Sequence, residues 1–100
     1  MIDKGAKVNA ARSGDGMAAL MWACEKGHLD IARLLIDKGA NVNTARAADR
    51  MTSLMLAARS SRISTVQLLL SKGAEKKAKD SSNRTAAYYA IDPALKSALK

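Results

Sequence analysis

The sequence predicts an all-α repeat solenoid, made of helix-turn-helix units with projecting β-hairpin loops. Three observations predict it. A segment recurs at a fixed spacing, and the apolar pattern within each period gives two short helices. In addition, only 3% of the 100 residues are aromatic and none is Phe. The core must therefore be built from Ala, Leu, Met, Ile and Val, which suits thin layers of short helices.

The repeat has a spacing of 34 residues. Residues 3–9, DKGAKVN, return as residues 37–43, DKGANVN, and in altered form as residues 71–77. When residues 3–36 are laid over residues 37–70, 15 of the 34 positions are identical. A unit of this kind cannot bury its apolar faces alone, so successive copies must stack.

The repeat divides the chain into four segments. These are a remnant of a preceding repeat at residues 1–9, a repeat at 10–43, a second repeat at 44–77, and a partial repeat with a capping helix at 78–100. The first segment matches only the end of a repeat. We therefore expect either a fragment of a longer array or a chain that covers its N-terminal face by self-association.

Each full unit contains two different helices. The first, near residues 17–26, is apolar almost all round and should be covered on more than one side. A turn at Gly27 leads to the second, near residues 29–38, which has a single apolar stripe. Gly39 suits the left-handed residue that closes a helix, and the polar stretch ending near Arg50 predicts a projecting hairpin.

A short final helix is predicted near the end of the sequence. Asp92 is a favourable capping residue, and Pro93 suits the first helical position. Residues 94–100 then supply an apolar stripe and a basic end. We expect this helix to cover the last repeat.

The run from Ala23 to Asn43 resembles the ankyrin repeat. Its sequence, ACEKGHLDIARLLIDKGANVN, follows the family pattern A-A-x-x-G-H-x-x-I-V-x-x-L-L-x-x-G-A-x-V-N. The resemblance returns at residues 57–74 and at residues 85–90. It implies a solenoid whose concave face, formed by hairpin tips and first helices, binds a protein partner. The family's T-P-L-H helix opening is absent, so Met or Tyr should pack where its His would lie.

Candidate partner-binding residues follow from their positions in that pattern. Arginines and exposed methionines are favoured among them, because both residue types are enriched at protein interfaces. The candidates are Arg12, Asp15, Met17, Glu25, Lys26, Arg46, Asp49, Met51, Arg59 and Arg84. Trp22 occupies the position that Leu56 takes one repeat later, so we place it in a partly buried core rather than in the binding surface.

The formal net charge is +8, and most of it lies in the second half of the chain. Residues 51–100 hold nine Lys or Arg against three Asp or Glu. This charge favours an acidic protein partner. The alternatives are a nucleic-acid-binding surface in the basic half and a fragment that caps a longer array. Nucleic acid is disfavoured because few aromatic side chains accompany the charges, and Tyr88 and Tyr89 are expected to pack within helices.

An enzyme is not predicted. Cys24 and His28 could act as nucleophile and base only on one unbroken helix, and Gly27 interrupts it. No cofactor motif is present, and one Cys and one His are too few for a zinc site. The longest apolar run has eight residues, so no membrane partner is expected. A single cysteine fits a reducing, intracellular and cytoplasmic setting.

Overall fold

The computed structural model describes residues 19–46 and 48–100. Over these residues the chain forms six helices and no β-strand. They are α1 Ala19–Lys26, α2 Leu29–Asp37, α3 Ser53–Arg59, α4 Ile63–Ser71, α5 Ala86–Tyr89 and α6 Pro93–Ala98. The predicted helix-turn-helix units are confirmed in this part of the chain.

The helices stack in two rows. In the inner row α1 packs against α3, and α3 packs against α5. In the outer row α2 packs against α4, and each outer helix also contacts the inner helix that precedes it. Because each helix meets its counterpart one repeat away, the pairs build a solenoid.

The centre of the core is α3. Residues 51–58 are all buried, because α1, α4 and α5 cover this helix from three sides. The prediction that a first helix is covered on more than one side therefore holds for α3. Helix α1 also packs against two neighbours, α2 and α3, but its Trp22 lies at the surface with 40% of its area exposed. Our placement of Trp22 in the core is wrong.

The helix ends follow the predicted signals. Gly39 and Gly73 close α2 and α4 in the left-handed conformation, with φ of +100° and +91°. The Thr52 hydroxyl accepts a hydrogen bond from the amide of Met55 at the start of α3. Asp92 caps α6 by accepting hydrogen bonds from two backbone amides, with Pro in the first turn.

The turn between α1 and α2 is tied to the next repeat. Gly27 has φ of +74°, and Ser61 has φ of +56° at the equivalent position between α3 and α4. Arg62 lies against Gly27 and donates a hydrogen bond from Nε to the carbonyl oxygen of Glu25 at 3.3 Å. This cation stabilises the carboxyl end of α1, where the helix dipole is negative.

The loop between α2 and α3 forms less β-structure than expected. Its only pairing in the described residues is one antiparallel bridge between Ala45 and Thr52. Beside it, the amide of Arg46 donates to the carbonyl oxygen of Met51 at 2.9 Å. The expected β-hairpin is therefore a single bridge rather than a pair of strands.

Successive loops are joined by hydrogen bonds. The Asn43 side chain donates to the carbonyl oxygen of Gly73 at 3.2 Å and accepts from the amide of Glu75 at 2.8 Å. Further out, the amide of Ser81 donates to the carbonyl oxygen of Asp49 at 2.9 Å. These bonds hold the loop before α3 beside the loop before α5.

Candidate functional site

Five of the predicted partner-binding residues meet on the inner row and its loop. They are Glu25, Arg46, Asp49, Met51 and Arg59, and we call them the inner network. Three other candidates, Arg12, Asp15 and Met17, lie outside the described residues. Lys26 is exposed at the end of α1, and Arg84 lies in the following loop.

The first part of the inner network is an ion pair between repeats. Glu25 and Arg59 occupy equivalent positions in the last turns of α1 and α3. The Arg59 guanidinium donates to Oε2 of Glu25 at 2.8 Å, and the Arg59 side chain remains substantially exposed. Because solvent reaches the pair, its contribution to stability is small. It does fix where both charges lie on the surface.

The second part is a bidentate pair within one loop. The Arg46 guanidinium donates from Nε to Oδ1 of Asp49 at 2.8 Å and from a terminal nitrogen to Oδ2 at 2.9 Å. The amide of Met51 also donates to Oδ1 of Asp49 at 3.1 Å. The Arg46 hydrogen bond, followed by the Met51 amide and nearby positive charge, holds the pKa of the Asp49 carboxyl below its usual value.

Met51 connects the two pairs. Its sulfur accepts from Arg59 at 3.7 Å and from Arg46 at 3.9 Å. The residue is only 2% exposed, so the expectation of an exposed methionine here is wrong. Met51 is buried because it begins the buried segment that leads into α3. Its sulfur accepts a hydrogen bond from each of the two guanidinium groups. It can shape the inner face, but little of its surface is available to a partner.

Arg84 lies beside an exposed aromatic ring. Its guanidinium carbon is 4.8 Å from the centre of the Tyr88 ring, which is 62% exposed. Packing of Tyr88 within a helix, predicted from the sequence, is therefore wrong. Met21 and Met55, in contrast, are buried as predicted for this position of the repeat.

Asp80 organises the loop that carries Arg84. Its carboxylate accepts hydrogen bonds from the amides of Ser82 and Arg84 and from the Tyr89 hydroxyl. The Tyr89 hydrogen bond is the main cause that lowers the pKa of Asp80. Burial, followed by the bond to Asp80, raises the pKa of Tyr89. The hydrogen bonds of the Asp80 carboxylate therefore fix the shape of this loop.

A family model that describes ankyrin repeats in three copies matches residues 1–80. The chain belongs to the ankyrin repeat family. Comparison with curated proteins gave no match. Ankyrin repeats are generally modules for protein-protein interaction, and the family is typically not enzymatic.

The single cysteine of the ankyrin chain, Cys24, is a buried free thiol. Burial raises the pKa of Cys24 to about 12, against a smaller opposing effect of its hydrogen bond with Ser53. The His28 ring stacks on Trp22 instead, with 4.9 Å between ring centres. Within residues 19–46 and 48–100, no cluster of three or more His, Cys, Asp or Glu could hold a metal ion. None of the helices described there has the length and apolarity needed to cross a bilayer.

The loop tips carry a group of cations that the candidate residues only partly included. They are Arg50, Lys77, Lys79 and Arg84, and we call them the tip cluster. All four are exposed, and the Ser81–Asp49 hydrogen bond holds their two loops side by side. In the described part of the chain no carboxylate forms an ion pair with Arg50, Lys77 or Lys79.

Arg50 was not among the candidate residues, although the sequence held a signal for it. The equivalent residue in the preceding repeat is Gly16, and a glycine often occupies a left-handed position in a turn. Arg50 does adopt φ of +62°. A comparison of equivalent positions could therefore have placed this arginine at a projecting turn.

Proposed function

We propose that this ankyrin chain binds an acidic segment of a protein partner across the surface formed by the inner row of helices and its loops. The tip cluster is the main contact. One observation carries the proposal. The acids near this surface, Glu25, Asp49 and Asp80, already bond to groups of the chain itself, whereas the tip cations Arg50, Lys77 and Lys79 have no such partner among the described residues. The surface therefore presents excess positive charge on a fixed frame.

The inner network supports the contact indirectly. Arg46 and Arg59 each hold a carboxylate at 2.8 Å, so much of their charge is already neutralised. Reversing either charge would place two acids together and disturb the loop. The tip cluster is the better place for a test, because its side chains project into solvent and their removal breaks no described ion pair.

The test is a fluorescence anisotropy titration with a short labelled peptide rich in Asp and Glu. Its twin carries Asn and Gln at every acidic position. We expect the acidic peptide to bind and the amide peptide to bind at least tenfold more weakly, a difference of about 1.4 kcal/mol. Equal binding of the two peptides would contradict an acidic partner and leave the interaction role of the family untouched.

Two variants with the same change in net charge locate the contact. The test variant combines Arg50→Glu, Lys77→Glu and Lys79→Glu. The control combines Lys72→Glu, Lys96→Glu and Lys100→Glu, three exposed lysines outside the tip cluster. Only the first should abolish binding. If both weaken it equally, long-range charge alone is responsible and the tip cluster is not the site.

Single-stranded nucleic acid is the second candidate, because Tyr88 is exposed among basic residues. Two facts disfavour it. Arg84 already covers one face of this ring, and proteins that bind single strands by base stacking present several aromatic rings in succession. A labelled oligonucleotide tests it. Affinity that falls steeply with salt and is lost in Tyr88→Ala would favour nucleic acid over the acidic peptide.

The proposed setting is intracellular. Cys24 is the sole cysteine and is a buried free thiol. This state suits a reducing compartment.

A further inference from the structure

The loop between α4 and α5 carries an exposed serine, Ser81, beside the tip cluster. This loop spans residues 72–85 and contains no helix. In the part of the chain that the structure describes, the Ser81 hydroxyl forms no hydrogen bond with the protein. Its backbone amide, in contrast, donates to the carbonyl oxygen of Asp49 at 2.9 Å. The hydroxyl is therefore available to an enzyme, while the backbone that carries it is fixed.

The exposure of Ser81 belongs to its position in the repeat. Arg50 and Asn83 mark equivalent points of two successive loops, because both are left-handed, with φ of +62° and +65°. Ser81 lies two residues before Asn83, and its equivalent two residues before Arg50 is Ala48. Ala48 is exposed although the next loop lies beside its own. A further repeat stacked on this chain would therefore leave Ser81 accessible.

Positive charges lie around Ser81 in sequence and in space. Lys77 and Lys79 lie four and two residues before it. The hydrogen bond of the Ser81 amide also brings Arg50 close, because the accepting carbonyl of Asp49 belongs to the peptide bond that leads into Arg50. All three cations are exposed. A negative group on Oγ of Ser81 would lie among the cations of the tip cluster.

The segment before Ser81 suits recognition by a protein kinase. Kinases select their substrates in part by the pattern of charges around the acceptor hydroxyl. Lys77 and Lys79 are free for such recognition, because no carboxylate pairs with either of them among the described residues. The run KKAKDS, residues 76–81, therefore fits a kinase that binds basic residues on the amino side of its serine.

Another pair of serines has basic neighbours, but these are already engaged. Ser60 and Ser61 lie between Arg59 and Arg62 in the turn after α3. Arg59 is bonded to the carboxylate of Glu25, and Arg62 is bonded to its carbonyl oxygen. A kinase would have to break these contacts before it could bind the arginines. The serine in the loop before α5 is therefore the better acceptor.

We propose that Ser81 is a phosphorylation site that switches off binding at the tip cluster, an inference that rests on the proposed function. A phosphoserine carries a charge of about −1.5 to −2 at pH 7, which cancels about half of the charge of the four tip cations. Its oxygens accept strong hydrogen bonds from guanidinium and ammonium groups. Arg50 is the expected main donor. The phosphate thus takes the place of the carboxylates of the partner.

The kinase transfers the phosphoryl group from ATP. Oγ of Ser81 forms a bond to the γ-phosphorus, the bond from that phosphorus to the bridging oxygen breaks, and ADP leaves. The hydroxyl proton passes to the aspartate base of the kinase. The ankyrin chain contributes only the acceptor hydroxyl.

Labelling of the intact chain tests the acceptor. The chain is incubated with Mg²⁺, with ATP that carries radioactive phosphorus in its γ-phosphate, and with a serine kinase that selects upstream lysine and arginine. Mass spectrometry should place the phosphate on Ser81. The label should be lost in Ser81→Ala and kept in Ser82→Ala, which removes the neighbouring exposed hydroxyl. A chain that takes up no label, or a label that persists in Ser81→Ala, would overturn the proposal.

Chains with phosphoserine at one defined position test the effect on binding. Phosphoserine at position 81 is compared with phosphoserine at position 97, because Ser97 is exposed on α6 and gives the same charge away from the tip cluster. The probe is the same labelled peptide rich in Asp and Glu. Phosphate on Ser81 should weaken binding about tenfold, which corresponds to about 1.4 kcal/mol, whereas phosphate on Ser97 should leave binding nearly unchanged.

The unmodified chain separates the failure of this inference from that of the proposed function. If the unmodified chain does not bind the acidic peptide, the proposed function is wrong and the switch falls with it. If the unmodified chain and the chain phosphorylated on Ser81 bind equally well, only the switch is overturned. Equal weakening by phosphate on Ser81 and on Ser97 also overturns it, because long-range charge would then explain both effects.

Phosphorus nuclear magnetic resonance tests the contact with Arg50. A cation beside the phosphate favours the dianion, so the second pKa of the phosphate on Ser81 should lie below the value of about 6 that is usual for phosphoserine. Arg50→Gln should raise this pKa again. An ordinary pKa, or one that does not respond to Arg50→Gln, would contradict the placement of the phosphate among the tip cations.

Discussion

Replacing Gly27 by alanine tests how the turn of one repeat is fixed by the next. Gly27 has φ of +74°, and an added Cβ would lie 2.7 Å from Cδ and 2.9 Å from Nε of Arg62. The left-handed backbone costs an alanine about 1 kcal/mol. Arg62 must also move and lose its bond to the Glu25 carbonyl, which adds about 1 kcal/mol. We expect Gly27→Ala to lower the free energy of unfolding by about 2 kcal/mol.

Gly39→Ala and Gly73→Ala are the matched controls. Both glycines have positive φ, but an added Cβ would meet no atom within 4 Å. They should therefore show the backbone cost alone, about 1 kcal/mol each. The measurement is urea unfolding followed by far-ultraviolet circular dichroism.

A double variant isolates the contribution of Arg62. In an Arg62→Ala background the added methyl group has room, so Gly27→Ala should then cost no more than Gly39→Ala. The reasoning would be refuted if Gly27→Ala were no worse than the two controls. It would also be refuted if its cost were the same with and without Arg62, because residues in contact should show a coupling energy.

Three further predictions concern Cys24, Asp49 and Ser61. Because Cys24 is buried with a pKa of about 12, iodoacetamide should modify it only after unfolding, as read by mass spectrometry in buffer and in urea; rapid modification of the native chain would contradict this. The pKa of Asp49 is lowered on folding, so its ionised carboxylate stabilises the fold above the unfolded value near about pH 4, and this contribution is lost as pH falls through the folded pKa. At neutral pH the free energy of unfolding in urea should therefore be higher for the wild type than for Asp49→Asn, by less than about 1 kcal/mol. This difference should disappear below about pH 4, and a difference that grows in acid would contradict the role of the Arg46 pair. Ser61→Gly should raise the free energy of unfolding by up to about 1 kcal/mol because Ser61 has φ of +56°, and an unchanged or lower urea midpoint would disagree.

The helices were largely predictable because their signals are local and repeat. The 34-residue period, Gly39 and Gly73 after the outer helices, and Asp92 before the last one place the elements within a few residues of where they lie. The loop before α3 was less predictable. Its polar stretch indicated a projecting hairpin, but the Arg46–Asp49 pair and the left-handed Arg50 form a tight turn that leaves only one bridge.

Burial was predicted less well than helix position, because it depends on which neighbour covers a residue. Met55 and Tyr88 occupy the same repeat position, yet Met55 is buried and Tyr88 is exposed. Trp22 and Leu56 differ in the same way. The prediction from residue type alone was also wrong at Met51. This methionine was expected to be exposed to a partner, but its sulfur accepts hydrogen bonds from two guanidinium groups.

The inner network could have been found only in part from the sequence. Glu25 and Arg59 have opposite charge at a separation of one period, which is a readable signal for a pair between repeats. The role of Met51 depends on side-chain directions that the spacing does not give. The binding roles of Arg12, Asp15 and Met17 stay predictions, and so do the boundaries of the four segments.

The contacts made by Arg59 and Arg62 give the two repeats a fixed order. Both arginines belong to the second repeat, and they bind an acid and a glycine turn that only the first supplies. A tandem duplication of residues 44–77 would set Arg59 beside its own copy, and Arg62 against a serine turn instead of Gly27. Growth of the array by copying this unit would therefore need compensating substitutions at both places, whereas insertion of a unit with Glu and Gly there would not.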